Sequence, residues 1–164
     1  MTQRSPVSRG TADAERQLDG FIAKFDPDNQ KLIRAVRKGL QKRFGGCVEF
    51  AYDNYNFFVL GYGPTDRPSD AIVSMPASAN GVGLCFIRGV GLPDPTRILR
   101  GSGNQTRSVR LDSAAMLARP DIEALIAAAK ARSRVPVPGR GRTTLVIRSV
   151  SAKQRPRRRG SFLI

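Results

Sequence analysis

The fold is decided by residues 47–62, CVEFAYDNYNFFVLGY, where the spacing of apolar residues changes from the helical period of 3.6 to the strand period of 2. The dipeptide Asp53-Asn54 lies between two runs typical of strands, which predicts a β-hairpin with its turn there. Two further strand-like runs follow, AIVSM at 71–75 and VGLCFI at 82–87, with a turn at residues 78–81 between them. We therefore expect a series of antiparallel strands in this half of the chain.

Two amphipathic helices are predicted before the hairpin. The first ends at Asp26-Pro27, where Asp26 can cap a second helix and Pro27 suits its first turn, and the second ends at Gly45-Gly46. Their apolar stripes are Leu18, Phe21, Ile22 and Phe25, and then Leu32, Ile33, Val36, Leu40 and Phe44. The second helix also has a basic face, interpreted as solvated surface, formed by Lys31, Arg34, Arg37, Lys38, Lys42 and Arg43.

The remainder of the chain predicts a central strand at 106–111, a helix that begins at Pro120, and a last strand at 144–150. Helices and strands are segregated along the chain, with no βαβ alternation. The expected fold class is therefore α+β, a two-layer sandwich with N-terminal helices and a C-terminal helix packed on a curved, mainly antiparallel sheet of about five to six strands. The expected organisation is a disordered lead at 1–11, a single domain at 12–150 and a basic C-terminal tail at 151–164.

The composition restricts the classes of function. The 164 residues contain no histidine and no tryptophan, so the commonest general base and metal ligand is absent. The two cysteines, Cys47 and Cys85, are too few for a disulfide framework or a thiol zinc site, and both are interpreted as reduced thiols, Cys85 in the core. No signal peptide and no membrane span are expected, and neither is a cofactor or a metal, which favours a small soluble cytoplasmic protein of bacterial type.

Positive charge is concentrated at the C-terminus. Residues 131–164 contain ten Lys and Arg and no acidic residue, whereas residues 1–130 contain 18 Lys and Arg against 13 Asp and Glu. A cluster of this kind can bind the phosphates of nucleic acid without reading sequence, although a solvated tail explains it equally well. The tail residues predicted to make such contacts are Lys153, Arg155, Arg157, Arg158 and Arg159. No aromatic residue is interleaved among them, so the tail alone does not encode base stacking.

The glycine-rich segment before residue 107 is the first candidate for a ligand site. Backbone N–H groups of a tight GSG turn, together with guanidinium groups, can hold a phosphate or carboxylate. The predicted binding residues are Arg97, Arg100, Gly101, Ser102, Gly103, Asn104, Arg107 and Arg110. A structural turn before a strand accounts for the same glycines, because the segment matches neither a P-loop nor a full GxGxxG motif.

The hairpin is the second candidate. Tyr52, Asp53, Asn54 and Tyr55 can line a polar pocket if they converge with the GSG segment, or they can form an Asx turn between two half-buried tyrosines. An enzyme would use Asp53, Tyr52 or Tyr55 as its acid or base, and would place the carboxyl group in a closed pocket.

The chain resembles the YdhG-like family of unknown function in several blocks that occur in consistent order. These are YDNYN at 52–56, GYGPTDRPSDAIVS at 61–74, GLPDP at 91–95, GSGNQTRSVRL at 101–111 and SVSAKQRPRRR at 149–159. The resemblance implies a compact sandwich similar in outline to frataxin, and it carries no established reaction. The family often has a histidine after the arginine of the GSG block, where this chain has Ser108, so no acid–base role is implied there.

The first functional hypothesis is thus a non-enzymatic binding domain for an anionic ligand, either a small phosphorylated or carboxylated molecule or nucleic acid. The alternatives are an uncharacterised enzyme at the hairpin, and an interaction module whose sheet face or sheet edge docks a protein partner. A broad exposed apolar patch would favour that interaction module.

Overall fold

The computed structural model describes residues 12–159, which form three α-helices, two short 3-10 helices and one six-stranded sheet. The α-helices are α1 (Ala12–Ile22), α2 (Pro27–Arg43) and α3 (Pro120–Ala131), and the 3-10 helices are Pro68–Asp70 and Ala114–Ala118. The strands are β1 (Val48–Asp53), β2 (Phe58–Gly63), β3 (Val73–Ser78), β4 (Gly81–Phe86), β5 (Arg107–Leu111) and β6 (Thr144–Val150). The predicted α+β class, with helices packed on a sheet, is confirmed. The lead expected at 1–11 and the last five residues of the tail lie outside the described residues.

The strands lie in the order β5-β4-β3-β2-β1-β6. Every neighbouring pair is antiparallel except β1 and β6, which run parallel, so the sheet is mixed and remains open at two edges. The expectation that residues 106–111 form a central strand was wrong, because β5 is an edge strand. Its outer side makes only one isolated bridge among the described residues, between Arg100 and Ser108. Apart from that bridge, the loop of residues 87–106 between β4 and β5 forms no strand that pairs with this edge.

The core lies between one face of the sheet and the helices. Alternate residues of the central strands are buried there, as the period of 2 predicts for a sheet with one covered face. The strand residues on this face include Leu60, Tyr62, Met75, Leu84 and Phe86, and the helical stripes that meet them include Leu18, Ile22, Ile33, Val36, Leu40, Leu125 and Ile126. Both predicted N-terminal stripes are therefore confirmed as core surfaces, and α3 adds a third buried stripe.

The predicted hairpin is real, but its turn is displaced. Asp53 is the last residue of β1 instead of a turn residue. The chain reverses over residues 54–57, where the backbone N–H of Asn54 donates to the Phe57 carbonyl at 3.0 Å. The side chain of Asp53 is fully buried. The ion pairs that this carboxylate forms with Lys24 and Arg157 outweigh the usual preference of Asp for the turn itself.

The basic face of α2 is only partly solvated. Three of its cations pair with carboxylates: Arg34 with Asp19, Arg37 with Glu15 and Glu49, and Arg43 with Glu123. The other three, Lys31, Lys38 and Lys42, are exposed and form no ion pair with the described residues. Between residues 12 and 159, no helix combines the length and apolar character needed to cross a membrane.

Candidate functional site

Two of the four arginines of the GSG segment, Arg100 and Arg107, bind the segment's own backbone. Arg100 donates from Nη1 to the carbonyls of Arg97 (2.9 Å) and Leu99 (3.2 Å), and Arg107 donates from Nη1 to those of Gly103 (2.6 Å) and Thr106 (2.8 Å). These bonds satisfy carbonyl groups that a loop without regular structure leaves unpaired. Hydrogen bonds from Arg100 and Arg107 to carbonyls of the same segment therefore stabilise the turn.

Two backbone positions make this loop possible. Gly101 has φ +132°, and Arg97 has φ 55°, in the left-handed region that non-glycine residues rarely adopt. The tip of the loop, between Gly101 and Arg107, is exposed at Ser102, Gly103 and Asn104.

The two predicted site segments are not brought together. Arg107 starts β5 at the end of the sheet where β1 begins, because it lies opposite Phe86, and successive pairings lead from Phe86 to Glu49. The hairpin turn lies at the other end of β1. Four strand spacings of about 4.8 Å also separate β5 from β1, which is roughly 19 Å. The GSG turn at 101–103 and residues 52–55 therefore do not meet in one pocket.

Asp53 is committed to two ion pairs. Its Oδ1 accepts from Nη2 of Arg157 at 2.9 Å, and its Oδ2 accepts from Nζ of Lys24 at 2.6 Å. The backbone carbonyl of Asp53 accepts from the side-chain amide of Gln154 at 2.8 Å. A carboxylate held by two cations on its two oxygens is well placed to anchor a chain segment and poorly placed to abstract a proton.

The flanking tyrosines have different environments. Tyr52 is half-buried, and burial raises its pKa although Arg148 partly opposes that shift. Tyr55 is 48% exposed at the turn, with the guanidinium carbon of Arg155 5.6 Å from its ring centroid. Asn54 is half-buried, and its Oδ1 accepts from the Ser149 hydroxyl at 2.7 Å.

The described part of the basic tail, residues 151–159, lies against the domain. Arg157 is 4% exposed, donates to the Asn54 carbonyl at 2.6 Å, and has its guanidinium carbon 5.9 Å from the centre of the Phe25 ring. The backbone N–H of Arg159 donates to Oδ2 of Asp26 at 3.1 Å, which occupies the side chain expected to cap α2. The contacts of the folded unit therefore extend past residue 150.

Burial divides the five tail residues predicted to contact nucleic acid. Arg157 is inside the protein, so its guanidinium cannot reach a phosphate in this conformation. Lys153, Arg155, Arg158 and Arg159 are exposed.

A groove on the open face of the sheet, which sequence reasoning missed, is a candidate surface for a ligand. It lies opposite the helices and has a volume of about 620 Å³. Two rows of small side chains cross it. One row runs through Ser74, Cys85 and Ser108 to Arg100, and the other runs from Val59 and Pro76 to Gly83 and Arg110.

The floor of this groove is neutral. Strands β2, β3 and β4 contain no charged residue on either face, although one-sided sheets usually place polar and charged side chains towards water. The rim has an exposed aromatic residue, Phe57, on one side and the two arginines on the other. The signal in the sequence was the absence of charge from alternate positions of three consecutive strands.

Cys85 lies half-buried on this floor instead of in the core, where it was expected. Burial raises the pKa of its thiol, and Ser74 partly opposes that shift. Cys47 is fully buried, and burial raises its pKa to about 11. Both thiols are therefore protonated near neutral pH and weakly nucleophilic.

A second feature missed from the sequence is a buried polar cluster around Glu49. This carboxylate accepts from Nε and Nη2 of Arg37 at 3.0 and 2.9 Å and from the hydroxyl of Tyr62 at 2.5 Å. Gln41 adds a longer bond of 3.3 Å. Glu49 falls on the core face of β1, where the strand pattern predicts an apolar residue.

The acidic residues of α1, Asp13, Glu15 and Asp19, lie in three separate ion pairs. Within residues 12–159, no three His, Cys, Asp or Glu side chains lie close enough together to hold a metal ion.

No family model, curated protein or solved structure matches this chain. The resemblance to the YdhG-like family therefore stays a prediction from the sequence, and the function has to be inferred from the residues of the site.

Proposed function

We propose that the protein is a binding domain for a small anionic molecule with an apolar body, held in the groove on the open face of the sheet. The observation that carries this proposal is the pairing of an uncharged floor with two arginines at one edge. Small-molecule sites are typically apolar concavities of about 300–1,000 Å³ with a few placed polar groups, and this groove falls in that range.

Arg100 and Arg110 supply the anion contact in this proposal. Each uses part of its guanidinium on the protein: Arg100 binds two backbone carbonyls through Nη1, and Arg110 binds Asp112 and the Asn80 carbonyl. Among the described residues, Nε and Nη2 of Arg100 have no acceptor, and neither has Nη1 of Arg110. Anchored guanidinium groups with spare donors suit a carboxylate, sulfonate or phosphate, because little side-chain entropy is lost on binding.

The proposal is tested with 8-anilinonaphthalene-1-sulfonate, a probe that joins a sulfonate to an aromatic body. We expect fluorescence titration to give a dissociation constant about tenfold weaker for Arg100→Gln/Arg110→Gln, since about 1.4 kcal/mol of lost charge-assisted bonding is a factor of ten. The control is Lys31→Gln/Arg88→Gln, which removes the same charge at two exposed positions outside this groove. Equal weakening in both double variants would show nonspecific attraction and reject the proposal.

Cys85 gives a second measurement at the same place. The wild-type thiol on the groove floor is alkylated with iodoacetamide near pH 8.5, with and without saturating probe, while Cys47 stays protected by burial. Bound probe is expected to slow the reaction of Cys85. An unchanged rate would mean that the probe binds elsewhere.

A second candidate function is binding of single-stranded nucleic acid at the hairpin end of the sheet. The observation that favours it is that the fold places the exposed Tyr55 ring against Arg155, whose backbone N–H donates to the Tyr55 carbonyl at 2.9 Å. Cationic surfaces with aromatic rings bind single strands through phosphate contacts and base stacking. The exposed residues Lys153, Arg158 and Arg159 extend the positive charge around that ring.

This candidate is tested by fluorescence anisotropy with labelled single-stranded DNA and RNA at low and moderate salt. Tyr55→Ala is expected to cost about 1–3 kcal/mol of binding, the contribution of one stacked base, while Tyr55→Phe retains binding. A truncation after Ser151 is unsuitable as a test, because it removes Arg157 from the buried Asp53. Equal affinity of Tyr55→Ala and wild type would reject the stacking surface.

A further inference from the structure

We infer that a second groove, between α2 and the loop before β6, is a site for a small phosphorylated molecule. It has a volume of about 550 Å³ and lies on the helical side of the protein, away from the open sheet face. Three exposed cations line it, Lys38 and Lys42 from α2 and Arg142 from the loop. Neither the GSG segment nor the C-terminal segment contributes to it.

The cations of this groove are set apart from the other charges on the same helix. Arg34, Arg37 and Arg43 are paired with carboxylates, whereas no described residue forms an ion pair with Lys38, Lys42 or Arg142. Lys38 and Lys42 are one helical turn apart, which puts their Cβ atoms about 5–6 Å from each other on one face. The groove therefore concentrates positive charge that the protein does not neutralise.

One carboxylate also lines the groove, and it is already bound. Both oxygens of Glu15 accept from Arg37, Oε1 at 3.0 Å from Nη1 and Oε2 at 2.9 Å from Nη2. Arg37 is in turn fixed by the buried Glu49. Arg37 shares its one positive charge between Glu15 and Glu49, so Glu15 is only partly compensated. The lining still has three cations against this one carboxylate, which leaves the groove positively charged.

The loop that holds Arg142 is fixed against the end of α2. Gly46 has φ +80°, and its N–H donates to the Gly141 carbonyl at 3.1 Å. A Cβ atom at Gly46 would lie 2.3 Å from the Arg140 carbonyl oxygen, so only glycine permits this approach. The position of Arg142 opposite the two lysines is thus set by backbone contacts.

A phosphorylated ligand fits these groups better than an apolar one. Lysine ammonium groups act as point charges for phosphate oxygens, and an arginine adds a planar fork. The Gln41 amide and the Thr143 hydroxyl supply neutral hydrogen-bonding groups on the same lining. The groove is a concavity of small-molecule size, which favours a compact phosphorylated molecule over an extended polymer.

The experiment is isothermal titration calorimetry of the full chain with inorganic tripolyphosphate at moderate salt. We expect Lys38→Gln/Lys42→Gln and Arg142→Gln each to weaken binding at least about tenfold. The matched control, Lys31→Gln/Arg88→Gln, has the same net charge as the lysine double variant and lies outside the groove, so its affinity should stay within about twofold of wild type. Urea unfolding of each variant checks that the fold is retained, which is expected because all the changed side chains are exposed.

Three results would overturn the inference. One is no heat of binding at millimolar tripolyphosphate, and another is equal weakening in the groove and control double variants. The third is that wild type binds a single-stranded oligonucleotide but not tripolyphosphate, and that the groove variants lose the oligonucleotide. That result would make the groove a nucleic-acid site. The variant Arg100→Gln/Arg110→Gln distinguishes the two grooves. It should leave the affinity of the α2 groove for tripolyphosphate unchanged.

Discussion

Strand β1 buries a carboxylate at each end, and the two are held differently. Glu49 and Asp53 are both fully buried on the same face of the strand. Glu49 is bound by Arg37, Tyr62 and Gln41, which are all within 13 residues of it in the chain. Asp53 is bound by Lys24, 29 residues before it, and by Arg157, 104 residues after it.

The two carboxylates attach different segments of the chain to β1. The Glu49 cluster attaches α2 to the sheet and shares its arginine with a second carboxylate, Glu15. The Asp53 cluster attaches the C-terminal segment to the hairpin, and its arginine has no second carboxylate among the described residues. Arg157 also has two buried nitrogens, Nε and Nη1, that lack hydrogen-bond partners there. The Asp53 end should therefore be less tolerant of the loss of one partner.

The largest effect is expected from Asp53→Ala. It leaves the buried guanidinium of Arg157 without its carboxylate, and breaking a buried ion pair on one side typically costs about 3–5 kcal/mol. We expect a loss of that size in the free energy of unfolding, measured by urea denaturation. The double variant Asp53→Leu/Arg157→Met should be more stable than Asp53→Ala, because no buried charge is left unpaired. A cost below about 1 kcal/mol for Asp53→Ala would contradict the anchoring role.

An intermediate effect is expected from Tyr62→Phe at the other end. It removes one bond to Glu49, while Arg37 and Gln41 still bind that carboxylate, so the cost near neutral pH should be about 1.5–3 kcal/mol. Burial raises the pKa of Tyr62 well above its usual value, and the charge of Glu49 adds to the shift. A group with a raised pKa in the folded state contributes stability that is present below its unfolded pKa, about 10 for tyrosine, and is lost as pH rises.

The difference in unfolding free energy between wild type and Tyr62→Phe should therefore narrow between about pH 8 and about pH 11, since only the wild type has this phenol to ionise on unfolding. Urea denaturation across that range measures the trend. A difference that widens with pH would mean that the phenol ionises more readily in the folded protein.

The smallest effect is expected from Glu15→Gln. Its side chain is half-exposed, and the ion pair with Arg37 is shared with the buried Glu49, so the loss should be at most about 1 kcal/mol. The same urea series measures it. A cost comparable to that of Asp53→Ala would show that the Glu49 end is not supported by several partners and would remove the contrast between the two ends.

The helices were the most predictable part of the fold. The stripes of α1, α2 and α3 follow the 3.6-residue period, and capping and stop residues at Pro27, Gly45 and Pro120 mark their limits. Strand positions were also predictable, but strand neighbours were not. Pairing of β6 with β1, and the placement of β5 at an edge, depend on contacts between residues far apart in the chain.

The candidate sites were less predictable. The GSG segment was chosen for its arginines and glycines, and two of its four arginines, Arg100 and Arg107, bind the loop's own carbonyls. The groove on the open face is formed by serine, glycine, cysteine and proline, which are ordinary residues in any strand. Only their alignment across neighbouring strands produces a neutral floor that ends in Arg100 and Arg110.

The sequence by itself determined the fold class, the buried stripes and the concentration of positive charge at the C-terminus, because hydrophobic period and local charge are properties of neighbouring residues. Tertiary structure alone decided which charges are buried and which are free. Arg157 and Arg158 are adjacent in the chain, yet the first is buried with Asp53 and the second is exposed. That distinction depends on the position of β1 beneath the C-terminal segment, and no local pattern of residues encodes it.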